Sequence, residues 1–199
     1  MNKEITKTSK VVVIVGGVVG CSVAYHLAKF GWKDTILLER DQLTSGTTWH
    51  EAGLVSQLGP SAAITKIRKY TLDLYKELEK EVDHSAGLRL NGALSIAQNK
   101  GRWQELQRQA TTAQLYDVDV KILDKDQIKK DYPIVNTDEV LGGILMPGDG
   151  AADPSGVTHM LAKAARQEGA KIFEKSPVEE IITKDGKISG VKVNGQIID

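Results

Sequence analysis

Little in this chain invites a cross-link, a membrane or a nucleic acid. It has a single cysteine, Cys21, which excludes an internal disulfide framework and fits a reducing compartment. Its 26 basic residues are matched by 26 acidic ones, leaving no electrostatic footprint for nucleic acid or an anionic membrane. No apolar run approaches the ~20 residues that a membrane helix needs. The opening segment is polar; it has no apolar stretch of a secretory signal, and Glu4 argues against a mitochondrial presequence. His26 and His159 fall in expected helices and His84 follows one, none with metal-ligand spacing, so no metal is expected. These absences leave a cytoplasmic globular protein, and an apolar content of 41% agrees with a packed core.

What is present begins with Val11-Val12-Val13-Ile14-Val15, a β-branched run of the kind buried on both faces of a parallel sheet. A glycine-rich turn, Gly16-Gly17-Val18-Val19-Gly20, leads into a helix expected from Val18 to Phe30, with Gly31 as its stop. Thr35-Ile36-Leu37-Leu38 is the next strand. The spacing is that of a βαβ unit built to bind a dinucleotide. In that pattern the first glycine permits the tight turn, the second admits the diphosphate and the third lets helix and strand pack closely. With Gly17 second and Gly20 third, the first position is Val15, a β-branched residue where positive φ is needed. Glu39 ends the second strand 19 residues after Gly20. There a carboxylate accepts hydrogen bonds from ribose hydroxyls and repels a 2′-phosphate, favouring FAD or NAD over NADP; otherwise it is a surface glutamate. Arg40 reads equally as an adenosine-side contact or as solvated surface. Cys21, inside the helix, reads as a packing residue.

Residues 41–60 are loop-like. A long amphipathic helix is expected over residues 64–82, then a strand over 88–97 with Gly92 as a bulge or close-approach point. Helices near 101–115 and 125–131 flank a short strand at 118–122, Asp124 capping the second helix. A strand at 141–146 precedes the turn Pro147-Gly148-Asp149-Gly150. Asp153-Pro154 opens a helix that runs to about Glu168 and stops at Gly169. Strands follow at 170–174, 178–184 and 187–193, with Asp185-Gly186 and Asn194-Gly195 as the tight turns of an antiparallel meander. A meander strand ending at Asp199 predicts the front part of a longer protein. The fold class expected is α/β: a Rossmann-like FAD-binding domain with a β-meander, from residues 1–60 and 150–199, and part of an α+β substrate domain from 61–149.

Val11 to Leu54 resembles the N-terminus of the dimethylglycine and sarcosine dehydrogenase group within the D-amino-acid-oxidase-like FAD enzymes. The resemblance rests on Gly16-Gly17-Val18-Val19-Gly20, on Leu37-Leu38-Glu39-Arg40 and above all on Ser45-Gly46-Thr47-Thr48-Trp49-His50-Glu51-Ala52-Gly53-Leu54. Weaker matches at Pro147–Gly150, Asp153-Pro154 and Pro177-Val178 extend it over nearly the whole chain. It implies that the loop wraps the FAD diphosphate, with Ser45, Thr47 and Thr48 as hydroxyl donors and Gly46 allowing close backbone approach. It implies that Val18 and Val19 face the cofactor, that Gly53 and Leu54 belong to the same cofactor loop, and that the backbone of Val178 meets the adenine edge. It further implies that a ring nitrogen of His50 bonds to the flavin 8α-methyl carbon; read alone, outside this loop, His50 is a loop histidine satisfied by backbone. Glu51 departs from the family, which carries a small residue there. The implied substrate is a small N-methylated amino acid such as sarcosine or dimethylglycine, oxidised at its C–N bond, with electrons passing to a further acceptor. Catalytic side chains are expected beyond Asp199, which would leave this piece inactive alone. The rival readings are a nicotinamide-binding module, which has no use for the His50 loop, and a non-catalytic scaffold.

Overall fold

A computed structural model describes residues 5–199; residues 1–4, Glu4 among them, lie outside the described residues. In chain order the elements are β1 (Val11–Ile14), α1 (Val18–Lys29), β2 (Thr35–Leu38), a 3-10 turn (Thr48–His50), β3 (Leu54–Val55) and α2 (Ala62–Glu81). Then come β4 (Ala93–Ala97), α3 (Lys100–Gln114), β5 (Lys121–Leu123), α4 (Lys125–Asp131), β6 (Gly142–Met146) and β7 (Gly150–Ala151). The last are α5 (Pro154–Gln167), β8 (Lys171–Phe173), β9 (Val178–Lys184), β10 (Lys187–Val193) and β11 (Gln196–Ile198). The described residues form two compact units: residues 5–52, 77–87 and 153–199 in one, residues 53–76 and 88–152 in the other.

The first unit is a three-stranded parallel sheet in the order β1-β2-β8, with Val11 opposite Thr35 and Ile36 opposite Lys171. All four residues of β2 are buried, as its unbroken apolar run requires of a strand covered on both faces. Alternation assigns the faces. Ile36 and Leu38, with Phe173 of β8, pack on Val191, Val193 and Ile198 of the meander β9-β10-β11. On the other side lie α1 and α5, whose buried residues are mostly small (Gly20, Cys21, Ala24, Ala28; Ala162, Ala164, Ala165), which allows a close helix pair.

Both meander turns are where the sequence puts them. Asp185-Gly186 and Asn194-Gly195 have φ of 51° and 74°, and 48° and 76°, the paired positive values of a two-residue hairpin turn. The strand at 171–173 belongs to the parallel sheet, because a helical crossover precedes it and no hairpin turn follows it. Asp153 caps α5, accepting the N–H groups of Ser155 and Gly156 at 3.2 and 3.0 Å, with Pro154 at the first helical position.

The second unit holds an antiparallel sheet in the order β4-β6-β5. Leu106, Ala110 and Ala113 of α3 pack with Ile144 and Met146 of its central strand, and Ile128 of α4 packs with Leu123 and Val140. Asp124 caps α4 in a reciprocal box: its carboxylate accepts the Gln127 N–H at 2.8 Å while the Gln127 side chain accepts the Asp124 N–H at 2.9 Å. Two strands are shorter than their sequence pattern predicts. Gly92, at φ 85°, delays β4 to Ala93, although Arg89 still bridges Ala151. Val118 donates to the Ala113 carbonyl, so the end of α3 takes up the first residues expected of β5.

Candidate cofactor site

The C-terminal end of β1 and the N-terminus of α1 open onto a cleft of about 590 Å³. In an open α/β sheet a ligand is expected at this place, where strand ends meet a helix N-terminus. Of the residues expected there, Gly17, Val18, Val19, Gly20, Glu39, Arg40, Ser45, Gly46, Thr47, Thr48 and Val178 line the cleft. Ile14, Val15, Leu38, Glu51 and Pro177 line it as well. Three of these were legible by position, since Ile14, Leu38 and Pro177 adjoin the strand termini that define the opening.

Gly16 lies under the floor, its N–H donating to Glu39 Oε2 at 2.6 Å. His50 is exposed, its ring 3.8 Å centroid to centroid from that of Trp49, and it is not among the lining residues, although Thr48 and Glu51 of the same turn are. Gly53 and Leu54 belong to the second unit, where Leu54 pairs with Ala151 of β7 and the Gly53 carbonyl accepts the Ala152 N–H.

Close packing builds the turn. A Cβ on Gly20 would stand 2.0 Å from the Val15 carbonyl oxygen, so only glycine lets α1 lie this near the end of β1. Val15 itself has φ 155°, a positive value foreign to a β-branched residue and costing on the order of 1–3 kcal/mol. The turn thus keeps its glycine shape with valine in the first position.

The lining supplies what a diphosphate and an adenosine need. No acidic residue stands in the first turn of α1, and Gly17 caps it without a side chain, which leaves the positive end of the helix open to an anion. The N–H groups of Val19 and Gly20 precede the first intrahelical bond, from Cys21 to Gly17. Buried Thr48 accepts the Val18 N–H at 3.1 Å, which retains the hydroxyl proton for a ligand oxygen. Nothing lies within 4 Å of a Cβ built on Gly46, so the loop leaves space beside its backbone. Each Glu39 oxygen accepts one backbone N–H, Gly16 at 2.6 Å and Asp41 at 2.9 Å, and keeps lone-pair capacity for a ribose hydroxyl. Arg40 is exposed beside Asp41, 3.5 Å away. Cys21 is buried behind the turn, and burial, opposed by Arg166, pushes its thiol up to about 12; it packs and does not react.

The match that decides the family covers residues 10–199, and it is to the model described as FAD dependent oxidoreductase. The chain belongs to the FAD-dependent oxidoreductase family. Sarcosine dehydrogenase of Homo sapiens, a mitochondrial protein by its name, is 41% identical over 181 residues, which is 90% of this chain and 20% of that protein. Dimethylglycine dehydrogenase of Homo sapiens, also mitochondrial by name, is 37% identical over 173 residues, 87% of this chain and 20% of that protein. Among solved structures, L-proline dehydrogenase from P. horikoshii superimposes with a TM-score of 0.89 at 28% identity, covering 98% of this chain and 51% of that one. The chain therefore spans about a fifth of the length of these curated relatives and about half of the solved one. The cleft in this family member has the donors, the carboxylate and the open space that the adenosine diphosphate part of FAD requires.

Proposed function

We propose that this chain holds FAD in the cleft between β1, α1 and the 45–51 loop, as the cofactor-holding part of an enzyme that oxidises the C–N bond of an N-methylated amino acid such as sarcosine or dimethylglycine. The observation that carries the reading is the meeting, in one cleft, of a bare helix N-terminus with Glu39 at the neighbouring strand end. The substrate class rests on the names of relatives 41% and 37% identical. FAD, when bound, supplies the hydride acceptor for the carbon next to the amine nitrogen.

This chain's residues act on the cofactor's position. The first turn of α1 and Thr48 receive the diphosphate, Glu39 takes the ribose hydroxyls, and Val178 flanks the adenine. His50 is proposed as the point of covalent attachment. It is supported by the sequence of its loop and by its exposed position in a turn whose neighbours line the cleft.

Titration with FAD, followed by quenching of flavin fluorescence, tests the reading. Saturable binding that Glu39→Gln weakens about tenfold or more is expected, since a charge-assisted hydrogen bond is lost. Absence of FAD binding overturns the proposal, and binding of NADH in place of FAD favours a nicotinamide module. Yellow colour retained after acid precipitation, and lost in His50→Ala, supports attachment; colour that survives His50→Ala removes His50 from that role.

A further inference from the structure

The cleft's least expected wall is Val15. It is 52% exposed, lines the cleft, and holds φ at 155°. Its Cγ2 lies 2.9 Å from the place a Cβ would take on Gly20, so the isopropyl group rests against the first turn of α1. That turn carries the N–H groups an anionic ligand would meet. Glu39, by contrast, reaches the cleft from the end of β2, and its hydrogen bonds are to Gly16 and Asp41.

We infer that Val15 gates the diphosphate seat of this cleft: its side chain limits contact between a dinucleotide's phosphates and the helix N-terminus, and leaves the adenosine end untouched. The inference rests on the reading of the cleft as the FAD site. Two separate properties of Val15 bear on it. The positive φ strains the turn's own backbone, so releasing it stabilises the fold and leaves affinity nearly unchanged. The bulk of the isopropyl group opposes only a ligand with phosphates at the helix end. The seat is therefore preformed but narrowed, and phosphates contribute less to binding here than they would with glycine at position 15.

Alanine and glycine at position 15 separate bulk from backbone, because Val15→Ala removes the two methyl groups and keeps the Cβ, whereas Val15→Gly removes both burdens. Adenosine, ADP and FAD are titrated into the parent chain and both variants, with affinities read from amide chemical shifts and thermal midpoints from circular dichroism. The expected result is adenosine affinity constant within about twofold, ADP and FAD tightened about tenfold in both variants, and a raised thermal midpoint for Val15→Gly alone. An ADP-to-adenosine affinity ratio that stays constant across the three proteins overturns the gate while leaving the cleft assignment intact. Tightening in Val15→Gly without tightening in Val15→Ala overturns it too, by assigning the effect to the backbone. Failure of adenosine and FAD to bind any of the three overturns the cleft assignment and the gate together.

Discussion

Replacing Gly20 by alanine tests the construction of the turn most directly. The added methyl carbon would lie 2.0 Å from the Val15 carbonyl oxygen and 2.9 Å from Val15 Cγ2. A carbon and a carbonyl oxygen normally stay about 3.3 Å or more apart, so α1 must retreat from β1 by roughly 1 Å. The obstructing atom belongs to the backbone at a strand end and cannot swing aside like a flexible side chain. Overpacking of this kind costs about 1–3 kcal/mol, and the upper end applies here because helix and strand are both held by neighbours. Alanine's better helix propensity returns up to about 1 kcal/mol. A net loss of about 2 kcal/mol corresponds to a fall in midpoint of roughly 4–8 °C for a chain of this size. Thermal unfolding followed by far-ultraviolet circular dichroism reads it. The displaced helix should also weaken FAD binding, since its N-terminal N–H groups leave their places. A midpoint within about 1 °C of the parent's would refute the close approach of helix and strand.

Three further outcomes follow from the same geometry. The Cys21 thiol is pushed from 9.0 to about 12 by burial, so the folded state keeps a proton that the unfolded chain loses. That stability is complete below pH 9 and is lost as pH rises toward 12, by at most about 1.4 kcal/mol per pH unit. Urea unfolding at pH 8 and pH 10.5 should show the loss, and Cys21→Ala should reduce it; equal slopes in both proteins would count against the assignment. Asp124→Ala breaks the reciprocal cap of α4 and should cost about 1 kcal/mol, measured by urea unfolding; an unchanged midpoint would mean that the box adds nothing. Gly101→Ala, in the first turn of α3 with its nearest neighbour atom at 3.5 Å, should stabilise by about 0.5–1 kcal/mol, and destabilisation in the same assay would contradict an unstrained contact there.

The sequence by itself determined the elements that local chemistry specifies. Asp124 and Asp153-Pro154 mark helix starts because a short side-chain oxygen and a donor-free proline suit the orphan N–H groups of a first turn. Asp185-Gly186 and Asn194-Gly195 mark hairpins because few other residue pairs take two positive φ values in succession. The β-branched run at 11–14 and the buried run at 35–38 announced a parallel sheet, and the glycine turn between them announced its cleft. The pairing of distant pieces was decided by tertiary structure. Lys171–Phe173 reads from sequence only as a short strand, and it lies beside β2 because α5 carries the chain back over the sheet. Thr48 enters the site as the acceptor for Val18, 30 residues away, a partnership that no local pattern encodes. His50 shares the loop that lines the cleft without lining it, because a tight 3-10 turn sends successive side chains in different directions. Periodicity and capping act over a few residues and survive in sequence. Which side chains share a cleft depends on long-range packing, and that is written only in the folded chain.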